Sequence, residues 1–413
     1  MSTIQTIIDQ HAEEAAFCWL LRDSAVNAPN YNLAELTELD DRVEAHLDGL
    51  TIAGQAGWEA CCEQLSYEEP GEVFVAAMLA LPGNDKDRWE TVFEAALVEP
   101  ATARGLVSAL GWMAYQQAAP HIQSLLASED PQRKRIGLVG SVAHSKHPGP
   151  SLMTALTHDN APLRARALLA IGQLGATELV PHLAANLDHQ DQACRFAAAW
   201  SGSLLGHVGA LSVLKHLTLG DQEELALKAA KLMGRALPQN EAIALFHKLA
   251  GNPNQGRRAL LMAGSIGDPV LLPFVLEKMA QPHLARCAGE AFSFMTGVDI
   301  EYQDFEAEEP EDFEAGPTED PEDEDIDLDP DEDLPWPDPS LIQQWMATHG
   351  SAFKSGVKYL SGMPLSEKDT LGRVLKSGIQ TFRAAAALEL KLANRDAPLF
   401  EVRAPGKTQQ AVP

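Results

Sequence analysis

A register of about 30 residues constrains this chain more than any other feature. Segments that open on a basic or small residue and run through Ala, Leu and Gly begin at Arg104 (RGLVSALGWMAY), Arg133 (RKRIGLVGSVAH), Arg164 (RARALLAIGQLG) and Arg195 (RFAAAWSGSLLG). Further copies begin at Ala226 (ALKAAKLMGRAL), Gly256 (GRRALLMAGSIG) and Arg286 (RCAGEAFSFMTG), so the steps are 29, 31, 31, 31, 30 and 30 residues. A weaker copy, VFVAAMLALPG, starts at Val73. Ala167, Leu168, Ile171 and Leu174 fall at helical spacing, and a second apolar block follows, as in ELVPHLAANL and PVLLPFVLEKM. Pro181 and Pro273 stand near the starts of such blocks, where a missing N–H costs little. Asp130, Asp159, Asp191 and Asp221 precede the next helices, where short polar side chains cap N-termini. One helix pair cannot bury its apolar face alone, but a stack can. The expected fold is therefore all-α, a solenoid of about 7–8 helix pairs over residues 70–298.

The flanks divide the rest. Residues 1–69 hold two amphipathic stretches and read as an N-terminal helical cap. Residues 299–333 carry 20 Asp and Glu and no Lys or Arg, and read as an acidic linker. Residues 334–413 read as a C-terminal helical module, with helices in SLIQQWMATH, SEKDTLGRVLKS and IQTFRAAAALELKLAN, a capping box from Ser366 to Asp369, and an irregular tail. The net charge of −28 is concentrated in the linker, since 39 acidic and 31 basic residues lie elsewhere. Bare nucleic acid demands Lys and Arg clusters and is not an expected partner. The N-terminus lacks a basic n-region, no run of 18 apolar residues exists, and the five cysteines show no C-x-x-C. These point to a cytoplasmic chain with free thiols and no membrane partner.

Candidate chemistry is sparse. The alternating Asp323, Asp325, Asp327, Asp329, Asp331 and Asp333 suggest a calcium loop. Yet counting from Asp323 or Asp325 puts Leu328 or Pro330 where Gly is needed and Leu334 or Trp336 where Glu is needed. The closing LPWPDP reads as an apolar anchor through Leu334 and Trp336. The GNPNQGRR and GKT segments lack the Lys-Ser/Thr pair or the first glycine of a phosphate loop, and AGSIG misses a nucleophile elbow at Ala263. His121, His144 and His147 lack a completing ligand. No cofactor or metal is expected. The column Arg104, Arg133, Arg164, Arg195, Arg257 and Arg286 has two readings: a face that docks an acidic partner, or a ladder of Asp–Arg pairs stapling the repeats. Partner contacts are assigned to Arg164, Arg195, Arg257, Arg286, Trp336 and Arg383.

The D-x(3–5)-R-x-x-A-x-x-x-L-G form resembles the short HEAT-like repeats first associated with bilin lyases. More narrowly, AGEAFSFMTGVDI (288–300), DEDLPWPDP (331–339), GVKYLSGMP (356–364), IQTFRAAAALELKLAN (379–394) and LFEVRAPG (399–406) occur in the order seen in a family of bacterial HEAT-repeat proteins. Genes of that family commonly sit in type VI secretion clusters. Thr381 and Phe382 depart from its more basic pattern ahead of Arg383. The resemblance implies a non-enzymatic scaffold that binds a secretion effector, a spike component or a toxin, as adaptor or chaperone. The alternatives are an immunity protein for one toxin and a HEAT-repeat enzyme of the bilin-lyase type.

Overall fold

The computed structural model describes residues 4–83, 85–311, 313 and 329–411. The chain forms two compact units, Met1–Ala210 with Ala393–Pro413, and Leu211–Leu392. These units cut across the boundaries drawn from sequence: the repeat region is shared between them, and residues 334–413 are divided at Ala393.

In the first unit the helices are α1 (Gln5–Ala25), α2 (Leu33–Ala53), α3 (Gln55–Gln64), α4 (Pro70–Ala80), α5 (Lys86–Ala96), α6 (Ala103–Trp112), α7 (Tyr115–Ala127), α8 (Pro131–Ala143), α9 (Pro150–Leu156), α10 (Ala161–Leu174), α11 (Val180–Ala184) and α12 (Gln192–Leu204). The first helices of the pairs, α4, α6, α8, α10 and α12, pack one on the next, and the intervening helices form a second layer against them. α1 to α3 close the α4 end, with α1 against α2, α3 and α4. Small residues set the spacing: a Cβ on Gly172 would lie 2.7 Å from the Ser201 Cα, so α10 and α12 meet nearly backbone to backbone. The end of this core is aromatic. Trp19 stacks on Phe74 at 5.3 Å, Phe74 meets Trp112 edge-on at 5.3 Å, and the Trp19 indole N–H donates to Ser108 Oγ at 2.9 Å.

The caps differ in detail from expectation. Asp130 accepts from Gln132 N and Asp191 from Cys194 N, each at 2.8 Å. Asn160 rather than Asp159 caps α10, accepting from Leu163 N at 2.9 Å. The later helix that Asp221 precedes starts after Gln222 and has no side-chain cap. Such caps contribute about 1 kcal/mol each.

The boundary between units falls in α13 (Val208–Thr218). The second unit contains α14 (Glu223–Ala236), α15 (Gln239–Ala250), α16 (Gly256–Ile266), α17 (Leu272–Lys278), α18 (Pro282–Thr296), α19 (Pro339–His349), α20 (Thr370–Ser377) and α21 (Gln380–Ala393). Here α14, α16 and α18 pack in series. AGSIG ends α16, and Gly267 and Gly297, at φ of 68° and 71°, terminate α16 and α18 in the left-handed conformation. A short hairpin, β1 (Tyr359–Leu360) and β2 (Met363–Pro364), sits on those two ends: Tyr359 N donates to Gly267 O and Ser361 N to Phe294 O, both at 2.8 Å. The expected capping box does not form. α20 begins at Thr370, behind Asp369 at φ 65° with no side-chain cap, because the chain is still leaving β2 at Ser366. The tail then returns to the first unit and ends in α22 (Gly406–Gln410).

Half of the calcium-like series, Asp323, Asp325 and Asp327, lies outside the described residues, but Asp329, Asp331, Asp333 and both flanks of the acidic stretch are described. Glu306 bridges Pro337, Ala307 N donates to Trp336 O at 2.9 Å, and Asp338 N donates to Phe305 O at 2.7 Å. The two ends of the acidic stretch are therefore side by side within the second unit. It leaves and returns at one place, whereas a linker would span from one body to another. Among the described residues no helix is long and apolar enough to cross a membrane.

Candidate functional site

The arginines singled out by the repeat are engaged within the chain. Arg133 donates to Glu90 at 2.8 and 3.2 Å and lies over the Phe93 ring. Arg164 and Arg195 converge on one residue, with Arg164 Nη1 2.6 Å from His189 Nε2 and Arg195 Nη1 donating to His189 O at 2.8 Å. A staple between repeats does exist there, but the histidine makes it, because Asp191 is committed to the α12 cap. His189, Asp191 and Cys194 approach closely enough to suggest a metal, yet the adjacent Arg164 cation opposes one.

In the second unit Arg257 grips Asp331 with two bonds of 2.5 and 2.7 Å. Arg286 pairs with Asp329 and lies 4.6 Å from the Trp336 ring centre and 5.3 Å from that of Phe313. Repeat arginines thus hold the chain's own acidic return, and Trp336 is the anchor that pins it. Arg383 is wholly buried, donating from Nε to Leu375 O at 2.7 Å, so it presents no surface to a partner. Thr381 and Phe382 stand ahead of it where the resembled family is more basic, and Phe382 packs on Phe294 at 4.6 Å. The three histidines of interest are apart in role. His144 Nε2 donates to Leu110 O at 2.8 Å, His121 Nε2 to Leu81 O at 2.9 Å, and His147 Nδ1 accepts from Gly149 N at 3.0 Å.

What the sequence reading missed is a cavity of about 440 Å³ in the first unit. α6, α8 and α10 wall it with Arg104, Arg135 and Arg166, while Val107, Ile136, Val139, Val142 and Trp112 supply an apolar floor. The three arginines are spaced 31 and 31 residues apart. That strict spacing was the available signal. The chosen column instead entered α8 at Arg133 and α10 at Arg164, two positions away. Two residues are about 200° around a helix, so on α8 and α10 the two choices face opposite sides, while Arg104 on α6 belongs to both columns.

The C-terminal tail forms the remaining wall. Leu399 N donates to Gln173 O at 2.7 Å, Arg22 donates to Ala404 O at 2.9 Å, and Gly406 N donates to Asp40 at 2.5 Å. Gly175, at φ 74°, lets the tail cross α10 at Asp396 and Ala397, where any side chain would collide. Arg403 pairs with Asp23, which Arg104 also approaches at 3.5 Å. Beneath this the Arg22–Asp40 pair, 2.8 Å apart, is 2% and 1% exposed. Burial raises the Asp40 carboxyl, and Arg22 and the Gly406 N–H pull it back down.

Arg135 and Arg166 are different. Among the described residues neither makes a hydrogen bond or ion pair, and the Arg166 Nε and Gln173 Oε1 are shielded from solvent without a partner. Burial brings Arg166 down to about 10, with Glu401 opposing that fall and Arg135 adding to it. A cavity that is apolar on one side and on the other holds two guanidinium groups with Glu401 as their nearby carboxylate can receive a further anion.

A sequence profile of HEAT repeats matches residues 149–230. No curated protein matches the chain. Helix pairs packed in the same manner extend from α4 through α12 in the first unit and from α14 through α18 in the second. The chain is thus an all-α assembly of packed helix pairs in which residues 149–230 match HEAT repeats, an architecture that commonly serves protein interaction.

Proposed function

We propose that this chain is a non-enzymatic protein-binding scaffold, an adaptor or chaperone for an effector or spike component of a type VI secretion system. The observation that carries the binding role is the tail-walled cavity on α6, α8 and α10, where basic and aliphatic side chains of three successive repeats meet. HEAT repeats suit such a role, and the secretion setting rests on the resemblance in the order of segments from residue 288 onward. Buried thiols support binding over turnover. Cys61 and Cys194 are pushed up to about 12, mainly by burial, whereas a nucleophile needs a lowered value.

The test is affinity capture from the native host with the full chain as bait, read by mass spectrometry. A secretion effector, spike protein or toxin should be enriched over a scrambled-surface control. Capture that recovers none of these overturns the reading. The turnover alternative predicts a chromophore or metal in the purified protein, seen by absorbance and elemental analysis.

A further inference from the structure

Three features of the cavity bear on what the scaffold binds. First, the charge is unbalanced. Asp40 compensates Arg22 and Asp23 serves Arg104 and Arg403, which leaves Arg135 and Arg166 facing Glu401 alone. This surplus sits in a chain whose net charge is −28, so it is a local construction rather than a general property of the surface. Second, the shielded Arg166 Nε has no acceptor among the described residues, which leaves that guanidinium incompletely satisfied. Third, the face already holds an extended backbone. Gln173 O and the Arg22 guanidinium read peptide groups of the tail, and Glu401 carries a carboxylate to the edge of the arginine pair.

From these we infer that the cavity receives an acidic side chain of an extended partner segment, its carboxylate on Arg135 and Arg166 and its flanking aliphatic residues on Val139 and Ile136. The inference rests on the scaffold reading and names the chemistry of its partner. Arginine suits the task because its fork meets both carboxylate oxygens. Glu401 is then an internal competitor that holds the site partly satisfied until the partner arrives.

The probe is the peptide acetyl-Leu-Val-Glu-Val-Leu-amide, titrated calorimetrically into the full chain beside its Gln isostere and sodium phosphate. A charge-assisted pair predicts that the Glu peptide binds about tenfold or more tighter than the Gln peptide. Arg135→Met should abolish that preference. Arg166→Lys, which keeps the charge and is mild toward folding, should cut it severalfold. Arg133→Met, on the opposite face of α8, should leave it unchanged. Glu401→Gln should tighten binding severalfold, an effect that damage to the fold does not produce. Equal binding of the two peptides, or a preference indifferent to Arg135 and Arg166, overturns the inference. Phosphate binding as tightly as the Glu peptide assigns the site to small anions and overturns it too. Repeating the host capture with Arg135→Met separates the levels: a partner kept by that bait refutes this site and leaves the scaffold standing, whereas wild-type bait without a partner refutes the scaffold.

Discussion

The Arg22–Asp40 pair is the contact on which the tail hangs, and its removal has a calculable cost. Both side chains are nearly inaccessible, at 2% and 1%, and each also holds the tail, Arg22 through Ala404 O and Asp40 through Gly406 N. Asp40→Ala leaves a buried guanidinium uncompensated and a tail N–H without its acceptor, a loss of about 3–5 kcal/mol for a buried pair broken on one side. If that loss falls on tail docking, the detached population rises by roughly 100-fold or more, since about 1.4 kcal/mol is a factor of ten. The assay is trypsin cleavage after Arg403, half-exposed but clamped to Asp23, followed by mass spectrometry of the fragment beginning at Ala404. When reclosing outpaces cleavage, the release rate tracks the open population. A release rate within about threefold of wild type refutes the reasoning, as does an Arg22→Met/Asp40→Leu double variant as labile as Asp40→Ala. The double variant removes both charges and should recover much of the loss.

Other outcomes follow from the same structure. Phe74→Ala, deleting a fully buried ring between Trp19 and Trp112, should cost the first unit about 3–5 kcal/mol in urea unfolding, with the second unit's transition unmoved. Arg257→Met and Asp331→Asn should each speed amide exchange at Ala307 and Asp338, and the double variant should add little, because both break one bidentate pair. Burial lowers His144 and His46 from 6.5, so below that pH the folded first unit binds fewer protons than the unfolded chain. Its stability should therefore fall as pH drops from about 6.5 toward 5.5, and His144→Gln should flatten the slope in pH-dependent thermal unfolding.

The repeat made the helix pairs legible because every copy must bury the same stripe, and the period survives substitution of individual residues. Pro181 and Pro273 mark the starts of α11 and α17 as their fixed φ requires. The cavity was less legible for a geometric reason. Choosing Arg133 and Arg164 over Arg135 and Arg166 is a slip of two positions, betrayed only by the 29-residue step from Arg104 to Arg133 and decisive for the face a side chain occupies. Arg383 shows the other limit: the same guanidinium is a surface contact or a core hydrogen-bond donor according to where α20 ends, and Leu375 O settles that only once the chain is folded. Asp329 and Asp331 look like ligands in alternation, yet their partners are arginines dozens of residues upstream.

The bridge between Glu306 and Pro337 frees the acidic stretch from any duty of reach. A loop shut at its base has a length that the fold scarcely senses: doubling it costs only about 0.6 kcal/mol of closure entropy. Arg257 and Arg286 hold the return through Asp331 and Asp329, so a change of length between Phe313 and Asp329 should leave both pairs in place.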